Sequence, residues 1–281
     1  MAQSTLFEQT RFKSLILKNR LVRSATCEKM SDGAGLPTAR LFALYEALAR
    51  GGIGLIITGL TYVARDGRIM DTGQGGIDND ACVPAYSRLT DHVHRHGAAI
   101  ALQVSHAGSQ TSRRRTGSRP IAPSSVINRS AFSLPRTMST GDIRRVIEAF
   151  ARGVLRAREA GFDAVQLHGA HGYLIHQFLC PCTNRRNDEW GGSLENRTRF
   201  AVEILARSRS YVGEDYPILI KLSTYDLTRN GITIDEGIRT AVGLAEAGFD
   251  GIEVSCGDFR DGLSFLRGTL PVEAVAEDVG M

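Results

Sequence analysis

The chain has 281 residues, 42% hydrophobic and 23% charged, with a formal net charge of +4. That balance suits a large globular core, and the mild charge gives no footing for a nucleic acid or a membrane surface as partner. No apolar run is long enough to span a bilayer, and the N-terminal MAQSTLFEQTRFKSL has no signal-peptide pattern. Five scattered cysteines (Cys27, Cys82, Cys180, Cys182 and Cys256) do not form a disulfide framework, so a reducing cytoplasm is expected. Cys180 and Cys182 lack a second ligand pair at zinc spacing, so no metal site is expected.

In chain order, a hairpin-like lead around Leu15 to Leu17 precedes a strand over Arg20 to Ala25. A helix follows at about Ala39 to Arg50, with Leu41, Leu44 and Leu48 on one face and Gly51 and Gly52 as its stop. IGLIITG, from Ile53 to Gly59, is a continuous apolar run of the kind buried on both faces of a parallel sheet. The alternation continues with a helix over Val83 to His96 and a strand over Ala98 to Ser105. Gly108 to Pro135 is a long polar loop of the sort that serves active sites. Its Arg113 to Arg115 run suits either an anionic cofactor or plain solvation.

A helix starting at Thr140 or Gly141 carries Ile143, Val146, Ile147, Phe150 and Val154 on its core face. It ends in AGFD (Ala160 to Asp163) before the strand AVQLH. A second AGFD (Ala247 to Asp250) precedes GIEVS. Between the two lie a helix near Leu194 to Val212, the strand PILIKLS (Pro217 to Ser223), and a helix from about Thr233 opened by the capping-box pattern TIDE.

Six strands alternating with five helices imply parallel, right-handed β/α units. A (β/α)8 TIM-type barrel fits best, as one domain over 1–281. Polar residues follow successive strands: Thr26 and Cys27, Gly59 to Thr61, Gln103 and His106, His168 to Tyr173, and Lys221. In a barrel those ends converge on the catalytic face. An open doubly wound sheet is the alternative. After the sixth strand only 258–281 remain, with no clear strand, so the last two β/α units are expected to be missing.

The runs LKNRLVRSAT, LIITG, LQVSHAG, HGAHGYLIHQFL and NRRNDEWGGSLENRTRF carry a specific resemblance. The chain is similar to the Old Yellow Enzyme family of NADH:flavin oxidoreductases, FMN-dependent (β/α)8 barrels that reduce activated alkenes. The resemblance implies that His168 and His171 bind the carbonyl oxygen of an enone or enal and stabilise the developing enolate. It implies Tyr173 as proton donor to the α-carbon, since a phenol stays protonated near neutrality. Gln103 would pair with the pyrimidine edge of the flavin, and Lys221 would stand near N1 and O2. Ala25, Thr26, Gly59 and Leu60 would line the remaining rings, and His168 would also touch the cofactor. Cys27 would lie near the flavin and tune its potential, or else serve as a small buried apolar residue. Lys29 replaces a Tyr found in some members. NADH or NADPH would deliver hydride; no G-x-G-x-x-G fingerprint is needed for a donor that stacks on flavin.

The same resemblance makes the C-terminal shortfall important. The FMN phosphate grip in this family follows strands seven and eight, so weak flavin retention is expected, with exposed sheet edges. A non-catalytic remnant of such a barrel, binding FMN weakly or not at all, is therefore the second reading. Homo-oligomerisation stays open.

Overall fold

The computed structural model describes residues 5–258. Six parallel strands form its centre: β1 (Val22–Arg23), β2 (Leu55–Ile57), β3 (Ala99–Ser105), β4 (Ala164–Gly169), β5 (Ile218–Ser223) and β6 (Gly251–Ser255). Each pairs with its sequence neighbour, so spatial order equals chain order. A doubly wound sheet would reverse direction at a switch point. This one winds one way, as a barrel wall does.

The helices α1 (Ala39–Arg50), α2 (Val83–Arg95), α3 (Thr140–Glu159), α5 (Leu194–Val212) and α6 (Ile234–Glu246) alternate with the strands, and a short α4 (Leu174–Leu179) follows β4. None is long and apolar enough to cross a membrane. The main apolar cluster lies between helices and sheet, where Ile56, Ile100, Leu102, Val165, Leu167, Ile220 and Leu222 meet Tyr86, Phe150 and Phe200. Residues one step along each strand face the other way. A second small cluster contains Leu55, Ile57, Ala101 and Ala164, sealed by Leu15 and Leu17 of the N-terminal hairpin (Thr10–Phe12 paired with Leu15–Leu17). That cluster is the floor of the barrel interior.

The sheet is curled. Ser24, just past β1, accepts a hydrogen bond from Lys221 of β5 at 2.8 Å and donates to Glu253 of β6. The first and last strands therefore meet across the interior. Among the described residues, β1 and β6 each pair on one side only, with Val22 and Val254 exposed.

The repeated AGFD has a shared role. Gly161 and Gly248 adopt left-handed φ values of 83° and 103° that end their helices. Asp163 N–H then donates to Ile100 O, while Ile100 N–H donates to Asp163 Oδ2 at 2.8 Å. Asp250 does the same with Ile218, whose N–H donates to Asp250 Oδ2 at 2.7 Å. Each aspartate thus clamps its own strand to the start of the preceding one.

Differences from the sequence reading are local. β1 is only two residues long, and just before it Leu21 O accepts from both the Gly54 and the Leu55 N–H. The loop after β3 contains a short helix, Arg113–Thr116, and a parallel pairing of Ile121–Ala122 with Arg136–Thr137. The Arg113 to Arg115 run sits on that surface turn, where Arg114 faces Asp71. The TIDE box is half formed: Thr233 caps the Glu236 N–H, but the Glu236 carboxylate is taken by Arg197 at 2.6 Å. A complete capping box occurs at α3, between Ser139 and Asp142. The tail over 259–281 lies outside the described residues.

Replacing Asp163 by Ala leaves the Ile100 N–H without its side-chain acceptor, and a loss of about 1–3 kcal/mol is expected. Asp250→Ala should cost more, because it also strips the nearly buried Arg209 of its carboxylate. Urea midpoints of the two variants and the parent check both the sign and the order.

Candidate active site

The interior positions change character along each strand. Ala101, Ala164 and Leu219 lie near the floor, in or against its apolar cluster. One step up, Gln103, Gln166, Lys221 and Glu253 form a polar layer. In register Gln103 pairs with Gln166, while Lys221 lies between His168 and Glu253, so side-chain bonds join two adjacent levels of the wall into this network. Gln103 Nε2 donates to Gln166 Oε1 at 2.7 Å, and Gln166 Nε2 donates to Glu253 Oε2 at 2.8 Å. Lys221 Nζ lies 3.0 Å from Glu253 Oε1. Burial pushes the Glu253 carboxyl up, but hydrogen bonds from Ser24 and Gln166 and the Lys221 charge bring it below the usual range. The layer is a satisfied, near-neutral network rather than a lone cation.

The next layer carries the imidazoles. His168 is buried at the end of β4, its ring 5.1 Å from that of His171 and 4.7 Å from that of Tyr173, both edge-on. His171 has φ 59° and Gly172 φ 76°, a left-handed pair that turns the chain sharply from β4 into α4. Strain of this kind at a non-glycine residue persists only where the surroundings hold it. Here Ser223 Oγ accepts the His171 N–H at 3.1 Å, and Ser255 Oγ lies 2.7 Å from His171 Nε2.

Burial, with the His171 and Lys221 charges, lowers the His168 imidazole well below its ordinary value. Burial and Lys221 lower His171 to about 4. Both rings are therefore neutral near pH 7. Ala170 N–H donates to His168 Nδ1 at 3.3 Å, which puts the His168 proton on Nε2. Burial, with Cys27 nearby, raises the Tyr173 phenol, which stays protonated. The group can offer N–H and O–H donors to an oxygen or carbon and holds no competing positive imidazolium.

The structure brings Gln103, His168, His171, Tyr173 and Lys221 together over β3 to β5. Gly59 and Leu60 are buried at the end of β2, next to the chain leaving β1. A Cβ at Gly59 would stand 2.5 Å from Thr26 O, so only glycine allows that approach. Ala25 is partly buried, while Thr26 and Cys27 are exposed at the rim. Cys27 is thus no core filler. Its thiol is raised by partial burial and by Glu28, which favours the uncharged form. Lys29 sits beside it with φ 55°.

Ser24, Gln166, Ser223, Glu253 and Ser255 were not singled out from the sequence. Their signal was available: each occupies an alternate position in or just past a strand, on the side opposite the isoleucines and leucines. Glu28 was also missed. It joins Arg23, Tyr45 and the Gly59 N–H, fastening the β1 loop to β2.

The donor set fits a flavin's pyrimidine edge: a side-chain amide at Gln103, an ammonium at Lys221 and imidazole at His168. That fit is one of chemistry, with Glu253 already balancing the lysine.

A family model described as NADH:flavin oxidoreductase / NADH oxidase family matches residues 5–261. The chain is 40% identical over 256 residues to an NADH oxidase of Thermoanaerobacter brockii, covering 91% of this chain and 39% of that protein. It is 37% identical over 255 residues to an NADPH dehydrogenase of Listeria monocytogenes, covering 90% of this chain and 74% of the other. Among solved structures, an old yellow enzyme homologue from Zymomonas mobilis superposes with a TM-score of 0.82 at 28% identity, covering 91% of this chain and 74% of that one.

The depressed His171 value has a consequence for stability. As pH falls, the unfolded chain takes up the proton before the folded one. Stability tied to neutral His171 is complete above about pH 6.5 and is lost progressively towards about pH 4. Urea unfolding at about pH 7 and about pH 5 should show a smaller acid loss in His171→Asn than in the parent. Equal losses would contradict the assignment.

Proposed function

The chain belongs to the NADH:flavin oxidoreductase / NADH oxidase family, and we propose that its site reduces the activated C=C of α,β-unsaturated carbonyl compounds. FMN is the cofactor that membership assigns, with NADH or NADPH as the electron source. When bound, the flavin supplies hydride chemistry in both directions.

The observation that carries the reading is the neutral His168–His171 pair beside a protonated Tyr173. A carbonyl oxygen gains negative charge as hydride reaches the β-carbon. N–H donors already aimed at that position stabilise the charge without reorganising, and burial strengthens their effect. His168, with its proton on Nε2, suits this role. His171 suits it as well, held in place by Ser223 and Ser255. Tyr173 then gives a proton to the α-carbon; its raised phenol keeps the proton until carbanion character develops. Gln103 and Lys221 would orient the flavin edge, and Glu253 would limit how far Lys221 favours an anionic cofactor.

The chain spans 39% of the NADH oxidase and 74% of the NADPH dehydrogenase, so turnover by this chain belongs to the proposal. Purified protein loaded with FMN should be yellow and should oxidise NAD(P)H when 2-cyclohexenone is added. Tyr173→Phe should lower enone reduction by about 10²–10⁴-fold while flavin reduction by NAD(P)H stays close to the parent rate. Protein that binds FMN and oxidises NAD(P)H but never consumes the enone would overturn the substrate assignment. Protein that cannot be loaded with FMN would instead support the non-catalytic reading.

A further inference from the structure

Glu46 of α1, His92 of α2 and His96, which caps α2, converge on the outer helical layer, away from the C-terminal strand ends. Their three ligand atoms lie within 4.8 Å of one another. His92 Nε2 is 3.0 Å from Glu46 Oε2, and His96 Nε2 is 3.8 Å from Glu46 Oε1. His96 caps the end of α2, and its ring meets that of His92 edge-on at 5.4 Å. Phe42 stands edge-on to His92 at 5.4 Å and helps to set its ring.

Tetrahedral zinc with bonds of about 2.0–2.1 Å needs its donors roughly 3.3–3.4 Å apart. Each histidine faces a different oxygen of the Glu46 carboxylate, at 3.0 and 3.8 Å, so small side-chain rotations bring one oxygen and both nitrogens to that spacing. We propose that Glu46, His92 and His96 form a surface site for a zinc-type divalent metal, with water in the fourth position.

Two side chains compete. Arg50 donates to Glu46 Oε1 at 3.2 Å, and Arg95 Nη2 lies 3.2 Å from His92 Nδ1. Both arginines are exposed and can swing into solvent. Once Arg95 leaves, Nδ1 can carry the proton and Nε2 presents its lone pair to the metal.

That freedom separates this cluster from the buried one formed by His176, Cys180 and Asp226, whose ligand atoms are equally close. There the Gly172 backbone N–H donates to His176 Nδ1 at 2.7 Å. With Nδ1 accepting that bond, the ring keeps its proton on Nε2, which faces Asp226 Oδ1 at 3.1 Å, a carboxylate that favours the protonated ring. A backbone amide in a tight turn cannot swing away, so that nitrogen has no lone pair to give.

Metal at the surface site would cross-link α1 to α2 and stabilise the fold by binding the native state. The test uses the full chain freed of metal by chelation, then titrated with zinc alone and with cobalt alone. One equivalent should bind and raise the melting temperature. Glu46→Gln, which keeps the side-chain shape, and His96→Ala should each weaken binding by at least about tenfold. Bound cobalt should show visible bands without a near-ultraviolet thiolate band. Three results would overturn the site: no zinc-dependent shift, equal affinity in both variants, or a thiolate band that marks the cysteines as the ligands.

Discussion

The parallel register between β3, β4, β5 and β6 is the constraint on which the site depends. Side chains alternate across a strand, so a slip of one residue would exchange every interior group with its helix-facing neighbour. In the observed register, Gln103, Gln166, Lys221 and Glu253 all face the interior and bond to one another in a chain. In a slipped register, leucines and isoleucines would fill the lumen and charges would enter the helix interface. The apolar residues on the outer side of these strands are almost fully buried, which makes that exchange very costly.

Electrostatics follow from this layering. The polar network is internally paired, and it places one ammonium beside two imidazoles. Burial and that ammonium keep the imidazoles neutral, and neutrality lets each serve as a directional N–H donor. Glu253 then has a double effect: it satisfies Lys221 and also offsets part of its charge at His171. The chemistry at the top of the barrel is therefore tied to a carboxylate on the last described strand, far from His168 in sequence.

Much of this was legible in the residues. The boundaries of α1 and α5 were read correctly, because periodic apolar positions end in glycine stops. The barrel winding was inferred from strand–helix alternation, and the histidine–tyrosine cluster from its place after an apolar strand. The polar layer was not seen, since Gln166 and Glu253 sit inside strands that read as generally apolar. Its signal needed the two faces of each strand to be read separately. The short α4 escaped because its six residues, Leu174–Leu179, are buried all round and show no amphipathic stripe. The half-formed box at Thr233 depended on Arg197, a contact between distant segments that no local pattern contains.

The two aspartate clamps at Asp163 and Asp250 sit at the floor end of the sheet, remote from the segments that leave the strands at the top. Alignment of the wall is thus fixed from below at these two junctions, while at the top separate contacts of Glu28, Ser223 and Ser255 hold the rim. Such a division lets the rim be rewritten by insertion or substitution while the catalytic layers stay in phase. Diversification of substrate range and preservation of the scaffold then fall on different residues, and selection can act on one without disturbing the other.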